Sequence, residues 1–243
     1  ILEKEIKIPF CLSCQKGLAD RYIKGTCPHC GYEKADGDQC EKCATVLNSI
    51  DLVKPYCAVC ETKDIEFRDV KHLFLNLKKI VPKIEKWLDN NKELRSQVRN
   101  LAKGWIKQGI EPRCITRDLK WGVKVPLKGF EDKVFYVWFD NVLGYVTSTV
   151  ELFPKEGQDL WKNMKTYYFV GKDNIPFHTI FWPGQILGEG NYNLPWNVVG
   201  LQYLNFEGQK FSKSKGIGIF ADQVKKSGIP IDYWRFYLIN ILP

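Results

Sequence analysis

The sequence predicts an α/β protein with a metal-bound module at its amino end, and three observations support this prediction. Eight of the nine cysteines fall in the first sixty residues, as four C-x-x-C pairs. Strand and helix patterns alternate over residues 134–230, which favours a parallel sheet. The 243 residues are 44% hydrophobic, so the chain can form one large domain or a compact domain with an appendage.

Composition excludes several classes of protein. With 26% charged and 44% hydrophobic residues, the chain is not a disordered tail. No apolar run approaches the roughly 20 residues that a membrane span needs, so we expect no membrane partner. The net charge of +8 permits an anionic partner without proving one. Because the chain begins at Ile1 and not at methionine, we expect a piece of a longer polypeptide.

The cysteine spacing is typical of zinc knuckles. A C-x-x-C turn can place two thiolates on one tetrahedral ion, and four such pairs supply eight thiolates, enough for two zinc sites. Spacing alone allows three ways of combining the pairs. Redox-active thiols are the alternative and predict metal-free cysteines. Zinc-bound thiolates indicate a reducing compartment, and we expect the cytoplasm. The pairs are Cys11 and Cys14, Cys27 and Cys30, Cys40 and Cys43, and Cys57 and Cys60.

Four segments follow from the change of pattern along the chain. We expect a knuckle module at 1–66 and a connecting region with two helices at 67–133. An α/β unit at 134–230 and the start of a helical region at 231–243 follow. In the connecting region, a strand is predicted at 72–77 and helices from 78 and over 91–108. The second helix has an apolar stripe of Leu94, Val98, Leu101 and Trp105, and a basic stripe of Arg95, Arg99, Lys103 and Lys107. The basic stripe is either a contact for RNA or a solvated face.

The α/β unit is predicted to contain three strands, three helices and a lysine-rich loop. Strands are predicted at 134–139, 165–173 and 196–204, and helices at 141–152, 176–187 and 221–227. A fourth helix, at 232–242 and capped by Asp232, belongs to the helical region that follows. The loop at 206–219 contains the string K-F-S-K-S-K-G from Lys210 to Gly216. Lysines on a glycine-flanked loop suit a polyphosphate whose charge develops as pyrophosphate departs. A basic, serine-rich loop can also be merely exposed, and the spacing of a Walker loop is absent.

Several strings together resemble one family. The lysine string resembles the K-M-S-K-S signature of class I aminoacyl-tRNA synthetases, with Phe211 in the methionine position. The strings G-K-D-N-I-P-F-H-T-I-F-W-P (171–183) and Y-V-W-F-D-N-V-L-G-Y (136–145) are similar to the methionyl-tRNA synthetase members of that class. So are I-T-R-D (115–118) and the cysteine segment from Leu18 to Cys43. The similarity runs in order along nearly the whole chain.

The resemblance implies a fold and an activity. The fold would be the second half of a class I Rossmann-type parallel sheet with an inserted zinc-knuckle (connective peptide) domain, of the archaeal or eukaryote-like two-zinc type. The activity would be methionine–tRNA ligase: methionine and ATP give methionyl-adenylate, and the methionyl group passes to tRNA(Met). The family's H-I-G-H turn does not occur in these 243 residues. We therefore expect a separate or missing segment to carry it, and little activity from this chain alone.

Residue roles transfer through the matched motifs. Arg117 would hold the methionine carboxylate, and Lys210 and Lys213 would stabilise the reacting phosphate. ATP would contact Gly171, Asp173, Ser212, Lys213 and Ser214, with Mg²⁺ bound to its phosphates. The inner pairs, Cys27, Cys30, Cys40 and Cys43, would share one zinc ion, and the outer pairs, Cys11, Cys14, Cys57 and Cys60, a second. The methionine pocket would be formed by Trp138, Tyr145, Phe177, His178 and Trp182. Each of these aromatic residues could instead be ordinary core.

Two other classes of protein stay open from the sequence. A synthetase for leucine, isoleucine or valine shares the lysine loop, although those enzymes usually carry a far larger insertion. A zinc-ribbon protein that binds RNA or supports assembly, derived from a synthetase but catalytically inactive, would retain the cysteines without the chemistry.

Overall fold

The structure is a computed structural model, and it describes residues 1–241 except positions 39, 41, 44, 46, 212, 214 and 215 and the side chains of Asp20 and Lys210. The chain divides into two units, each made of two segments. The first unit is Ile1–Asn76 with Glu111–Ser148, and the second unit is Leu77–Ile110 with Thr149–Pro243. The boundaries predicted from the sequence, at 66, 133 and 230, stay predictions.

The first unit is built mainly from antiparallel strands. Two long strands, β1 and β6, pair from Leu2 opposite Phe74 to Cys11 opposite Ile65. They form the centre of a four-stranded sheet in the order β2-β1-β6-β7, beside a three-stranded sheet in the order β4-β3-β5 and the pair β8-β9. The strands are β1 Leu2–Cys11, β2 Lys16–Gly17, β3 Ile23–Thr26, β4 Ala35–Asp36, β5 Val53–Cys57, β6 Ile65–Leu75, β7 Arg113–Cys114, β8 Thr116–Arg117 and β9 Val134–Phe135.

Two separate cores stabilise the first unit. The core of the knuckle module combines Leu18, Ile23 and Leu52 with the first cysteine of each C-x-x-C pair. Such a core has little aliphatic surface, so hydrophobic burial alone stabilises it weakly. The second core packs Leu73 of β6 against Ile115, Val125 and Phe130.

The second unit contains a two-stranded parallel sheet and most of the helices. Its strands β10 and β11 pair in parallel from Tyr167 opposite Asn197 to Gly171 opposite Leu201. The remaining strands among the described residues are β10 Tyr167–Gly171, β11 Asn197–Leu201, β12 Asn205–Phe206 and β13 Gln209–Lys210. The α-helices in the described part of the chain are α1 Val81–Asn90, α2 Ser96–Gln108, α3 Val137–Asp140, α4 Gly144–Leu152, α5 Gly157–Asn163, α6 Trp182–Glu189, α7 Ala221–Lys226 and α8 Ile231–Asn240. A π-helical turn, Phe177–Phe181, leads directly into α6.

Most predicted elements are found, and the parallel pairing of two strands in the α/β unit is confirmed. The strand predicted at 134–139 is wrong beyond Phe135, because the chain turns into α3 there. The amide of Tyr136 donates to the carbonyl of Ile115, and the amide of Phe139 donates back to the carbonyl of Tyr136. The dense aromatic residues of this segment thus predict a strand, whereas the chain forms a helical turn there.

Two details of the predicted helices are also wrong. In α2 the buried positions are Val98 and Ala102, whereas Trp105 is 40% exposed. At α8 the cap position is Pro230, and Asp232 lies inside the first turn, where it pairs with Arg235 at 3.1 Å.

The basic stripe of α2 is partly occupied by structural contacts. The Arg99 guanidinium donates to the carbonyls of Leu88 at 2.9 Å, Asn91 at 2.6 Å and Leu94 at 3.2 Å. It therefore satisfies the carbonyls of Leu88 and Asn91 at the end of α1, where helices leave carbonyls without a partner, and that of Leu94 in the segment between α1 and α2. Lys103 pairs with Asp89. These contacts favour the structural interpretation of the stripe.

None of the helices among the described residues is both long enough and apolar enough to cross a bilayer.

Gly200, in the middle of β11, allows close packing. A Cβ there would lie 2.5 Å from Ile175 Cδ1 and 3.1 Å from Val98 Cγ2. We expect Gly200→Ala to destabilise the second unit by about 1–3 kcal/mol through overpacking. The matched control is Gly104→Ala, because nothing lies within 4 Å of that Cβ position in α2. Alanine should stabilise that helix by about 1 kcal/mol. Thermal and denaturant unfolding measure both effects, and equal shifts in the two variants would contradict the packing account.

Candidate metal centres and active-site residues

The eight paired cysteines form two groups of four. One group holds Cys27, Cys30, Cys40 and Cys43, and the other holds Cys11, Cys14, Cys57 and Cys60; within each group the sulfur atoms all lie within 4.8 Å of one another. Of the three combinations that spacing allows, the structure therefore has the nested one. All nine cysteines are free thiols.

The sulfur distances fit a tetrahedral metal site. The Sγ atoms of Cys11 and Cys60 are 3.6 Å apart, and those of Cys14 and Cys57 are 3.9 Å apart. In the other group the Cys30–Cys40 and Cys27–Cys43 distances are 3.6 and 3.9 Å. Four sulfurs at about 2.3 Å from a tetrahedral zinc ion would lie about 3.8 Å apart. Four thiols at tetrahedral spacing, with soft sulfur donors only, suit Zn²⁺.

The knuckle turns are formed by the backbone. The amides of Cys27, Cys40 and Cys57 each donate to the carbonyl five residues later, at 2.8, 2.9 and 2.9 Å. In the first knuckle, the residue five positions after the first cysteine is Lys16, and it is the partner of Cys11 in the β1–β2 pairing. In the three knuckles where the residue after the second cysteine is described, that residue is left-handed: Gln15 has φ 51°, Gly31 has φ 72° and Glu61 has φ 59°. Non-glycine residues rarely adopt this conformation, so two of these turns are held against a local cost.

Neighbouring groups make the thiols of one cluster unequal. Hydrogen bonding with Thr45 lowers the pKa of Cys43 to about 6. In the same cluster, a backbone hydrogen bond at Tyr32 acts to lower the pKa of Cys30, but burial and hydrogen bonding with Cys40 outweigh it and raise that pKa to about 12. Closely packed thiols without a cation therefore do not all ionise together. A bound divalent cation would supply the positive charge that all four thiolates need.

Arg117 lies in the first unit beside aromatic residues. Its guanidinium carbon is 4.0 Å from the centre of the Tyr136 ring, and its Nη1 donates to the Thr116 carbonyl at 2.9 Å. Arg117, Tyr136 and Trp138 line the same groove, of about 930 Å³. Trp138 is 45% exposed and Tyr145 is 40% exposed. Both aromatic residues are therefore accessible to a ligand.

The other three aromatic residues predicted for the methionine pocket lie on one helical stretch of the second unit. Trp182 is 1% exposed, and its Nε1 donates to the Tyr168 hydroxyl at 3.0 Å. His178 is 6% exposed, and its ring centre is 5.2 Å from that of Tyr168. Phe177 stacks against Phe181 with ring centres 5.5 Å apart. Tyr168 thus fixes two predicted pocket residues one helical turn apart, and the sequence did not single it out.

Burial keeps the His178 imidazole neutral. Loss of solvent lowers the pKa of His178, although a hydrogen bond with the Asn174 carbonyl acts in the opposite direction. The Nδ1 atom lies 2.9 Å from that carbonyl oxygen, so Nδ1 carries the proton and donates it. The other nitrogen, Nε2, is then the acceptor.

The predicted ATP residues follow a strand of the parallel pair. Gly171 is the last residue of β10, and Asp173 lies in the turn that follows. A Cβ on Gly171 would lie 2.9 Å from Asp173 Oδ1, so a larger residue would push the carboxylate away. The turn after β11 meets this region, because Lys172 Nζ lies 4.6 Å from the Tyr203 ring. Carboxyl ends of parallel strands are where α/β sheets bind ligands.

The lysine loop is described only in part. Lys213 is exposed, whereas Ser212 and Ser214 lie outside the described residues, and of Lys210 only the backbone is described. Phe211 packs edge-on against Phe206 at 5.9 Å. A Cβ on Gly218, which has φ 127°, would lie 2.4 Å from the Phe211 ring. The aromatic residue in the methionine position of the string is thus held by Phe206 and Gly218, which the sequence analysis did not identify.

These features define a class of protein: an α/β chain that carries two four-cysteine groups and a lysine loop after a parallel strand pair. The family model described as tRNA synthetases class I (M) matches residues 1–243, and the chain belongs to that family.

Curated relatives with this similarity are methionine–tRNA ligases. The chain is 47% identical to the cytoplasmic methionine–tRNA ligase of Mus musculus over 240 residues, which are 96% of this chain and 26% of that protein. It is 47% identical to the Treponema denticola enzyme over 253 residues, with 100% and 32% covered. It is 43% identical to the Aeropyrum pernix enzyme over 252 residues, with 100% and 44% covered. The chain therefore spans about a quarter to under a half of the length of these relatives.

Solved structures give the same fold. Methionyl-tRNA synthetase of Mycobacterium tuberculosis bound by methionyl-adenylate matches with a TM-score of 0.62 at 17% identity, covering 98% of this chain and 41% of that one. A second structure, described as the same synthetase in complex with methionyl-adenylate, matches with a TM-score of 0.63 at 20% identity and covers the same shares. At this identity the comparison establishes the class I synthetase fold, with mixed α/β content.

The nested thiol groups predict metal content and its loss. We expect the purified chain to bind two Zn²⁺ ions, and Cys57→Ser to remove one of them because three thiolates remain in that group. Loss of the metal should also lower the unfolding temperature, since metal binding to such a module adds to its folding free energy. Elemental analysis and thermal unfolding measure these effects.

The ninth cysteine gives the matched control. Cys114 belongs to neither four-cysteine group, so Cys114→Ser should retain both ions. Equal metal content in the two variants, or purified protein without zinc, would contradict the assignment.

Proposed function

We propose that this chain is the part of a methionine–tRNA ligase that contains the second half of the Rossmann-type catalytic sheet and the inserted zinc-knuckle (connective peptide) domain. The observation that carries the proposal is the family match over residues 1–243. The relatives' names and the methionyl-adenylate in the titles of the structural neighbours support methionine and ATP as substrates. The bounds 1–66, 67–133, 134–230 and 231–243 are part of this proposal.

The reaction has two steps. A methionine carboxylate oxygen attacks the α-phosphorus of ATP, the bond to the β-phosphate breaks, and pyrophosphate leaves with the electron pair. A hydroxyl of the terminal ribose of tRNA(Met) then attacks the methionyl carbonyl, and AMP leaves. No covalent bond to the protein forms, so positioning and charge stabilisation supply the rate.

In the first step Arg117 holds the methionine carboxylate. Its stacking on Tyr136 fixes the plane of the guanidinium, which suits a two-pronged contact with a carboxylate. Trp138, Tyr145, Phe177, His178 and Trp182 form the pocket for the methionine side chain. A neutral His178, together with polarisable aromatic faces, suits a thioether and disfavours a charged side chain.

The nucleotide lies at the carboxyl ends of β10 and β11. Gly171 lets the backbone approach the adenosine, and Asp173 accepts a hydrogen bond from the ribose. Lys210 and Lys213 stabilise charge on the reacting phosphorus and on pyrophosphate, and Ser212 and Ser214 donate to phosphate oxygens. Mg²⁺ bound with ATP supplies further neutralisation of phosphate oxygens.

The two zinc ions have a structural role, as closed four-thiolate sites do. They are held by Cys27, Cys30, Cys40 and Cys43, and by Cys11, Cys14, Cys57 and Cys60. The partner segment carries the H-I-G-H turn, as the resemblance implies. The location is the cytoplasm, which the cytoplasmic relatives and the free thiols support.

Methionine-dependent exchange of pyrophosphate into ATP tests the proposal. We expect little exchange from the 243-residue chain alone, and robust exchange when a segment carrying the H-I-G-H turn is supplied. Lys213→Ala should lower kcat in that assembly by about 10²-fold, as loss of a group that stabilises transition-state charge does. The matched control is Lys155→Ala, at an exposed lysine of the second unit, which should leave exchange unchanged.

Other outcomes identify other proteins. Exchange that depends on leucine, isoleucine or valine would overturn the choice of amino acid. Binding of tRNA with two zinc ions, but without exchange in the assembly, would identify the catalytically inactive zinc-ribbon protein. Full exchange from this chain alone would refute the need for the H-I-G-H segment.

A further inference from the structure

A buried polar cluster connects β6 of the first unit to the segment around Arg117. His72 is 2% exposed, Thr116 is 0% exposed and Lys133 is 4% exposed. The Nδ1 atom of His72 lies 2.8 Å from Thr116 Oγ1, and its Nε2 lies 3.1 Å from Asp118 Oδ2. The ammonium of Lys133 donates to the other oxygen, Asp118 Oδ1, at 2.5 Å. The family motifs assign no role to His72 or Lys133.

Each polar side chain of the cluster has a hydrogen-bond partner within it. The Leu73 amide also donates to Thr116 Oγ1, at 3.1 Å. Burial alone would lower the pKa of His72, but the Asp118 carboxylate and the Cys114 side chain together outweigh it and hold that pKa above its usual value. Burial likewise opposes ionisation of Asp118, and His72 with Lys133 outweighs it and lowers the Asp118 pKa. A buried lysine is costly unless it is paired, and the contact with Asp118 offsets that cost for Lys133.

Arg117 lies between the two residues that the cluster holds. In extended backbone, alternate side chains point to opposite faces. Thr116 and Asp118 therefore face His72, and Arg117 faces the other way, toward the Tyr136 ring. Arg117 lines the groove of Tyr136 and Trp138, and it also borders a smaller cavity of about 150 Å³ that His72 and Asp118 line.

We propose that His72 and Lys133 are positioning residues that act through Thr116 and Asp118 to hold the Arg117 guanidinium in the groove. That Arg117 then binds the methionine carboxylate is a statement that rests on the proposed function. The claim about position concerns this chain alone, because all of these residues belong to the first unit.

The experiment compares variants that break the cluster with variants that keep it. His72→Leu and Lys133→Met remove the contacts to Asp118, and His72→Gln and Lys133→Arg retain a donor. In the assembly with the H-I-G-H segment, we expect the first two to raise KM for methionine by about tenfold, with KM for ATP and kcat within about twofold. His72→Gln and Lys133→Arg should each have a KM for methionine close to that of the wild type. Lys128→Met, at an exposed lysine of the same unit, is the matched control and should behave as wild type.

A double variant keeps the proposal testable if Lys133→Met does not fold. Lys133→Met leaves the partly buried Asp118 carboxylate with His72 as its remaining partner, so Lys133→Met is combined with Asp118→Asn, which removes both charges of the ion pair. Unchanged KM for methionine in a folded variant, or an equal rise in KM for ATP, would overturn the proposal.

A crystal structure of the double variant separates this proposal from the proposed function. Displacement of Arg117 from Tyr136 supports the positioning role, even if the wild-type assembly shows no exchange with methionine. An Arg117 guanidinium that keeps its 4.0 Å stacking on Tyr136 would overturn it, whatever the activity.

Discussion

The antiparallel pairing of β1 with β6 is the constraint on which the first unit depends. It joins residues 2–11 to residues 65–75, so all four knuckles lie within one closed loop of chain. Its last pair sets Cys11 opposite Ile65, which brings the end of β1 close to the fourth knuckle. The same β6 strand presents His72 to Thr116 and Asp118. The register of β1 with β6 therefore positions residues of both the outer cysteine group and the cluster next to Arg117.

The thiol groups compensate for a module with little aliphatic core. The first cysteine of each pair is buried with Leu18, Ile23 and Leu52, and the second cysteine is less buried or exposed. Sulfurs separated by 3.6–3.9 Å are too far apart for disulfides and suitably spaced for a tetrahedral ion. The left-handed Gln15 and Glu61 show that the turns take this shape despite a local backbone cost. Metal binding is an interaction strong enough to offset that cost.

In the second unit, ordinary packing holds the residues that are predicted to bind methionine. Trp182, which is predicted to bind methionine, is buried and donates to Tyr168, so its indole is held in place by the core of this unit. Tyr168 in turn lies on β10, the strand that ends at Gly171. The same strand therefore positions both the aromatic residues predicted for methionine and the turn predicted for ATP.

The sequence by itself determined the elements whose signals are local. The C-x-x-C spacing, the parallel pair of strands around residues 167–171 and 197–201, and the helix ending at Gly109 are of this kind, as are the motifs that reveal the family. Only the tertiary structure decided which knuckles share a group, that the aromatic run after Phe135 is helical, and that Lys133 is buried against Asp118. These outcomes depend on contacts between residues far apart in sequence. Composition and spacing carry no information about such contacts, because a buried lysine and an exposed one have the same letter.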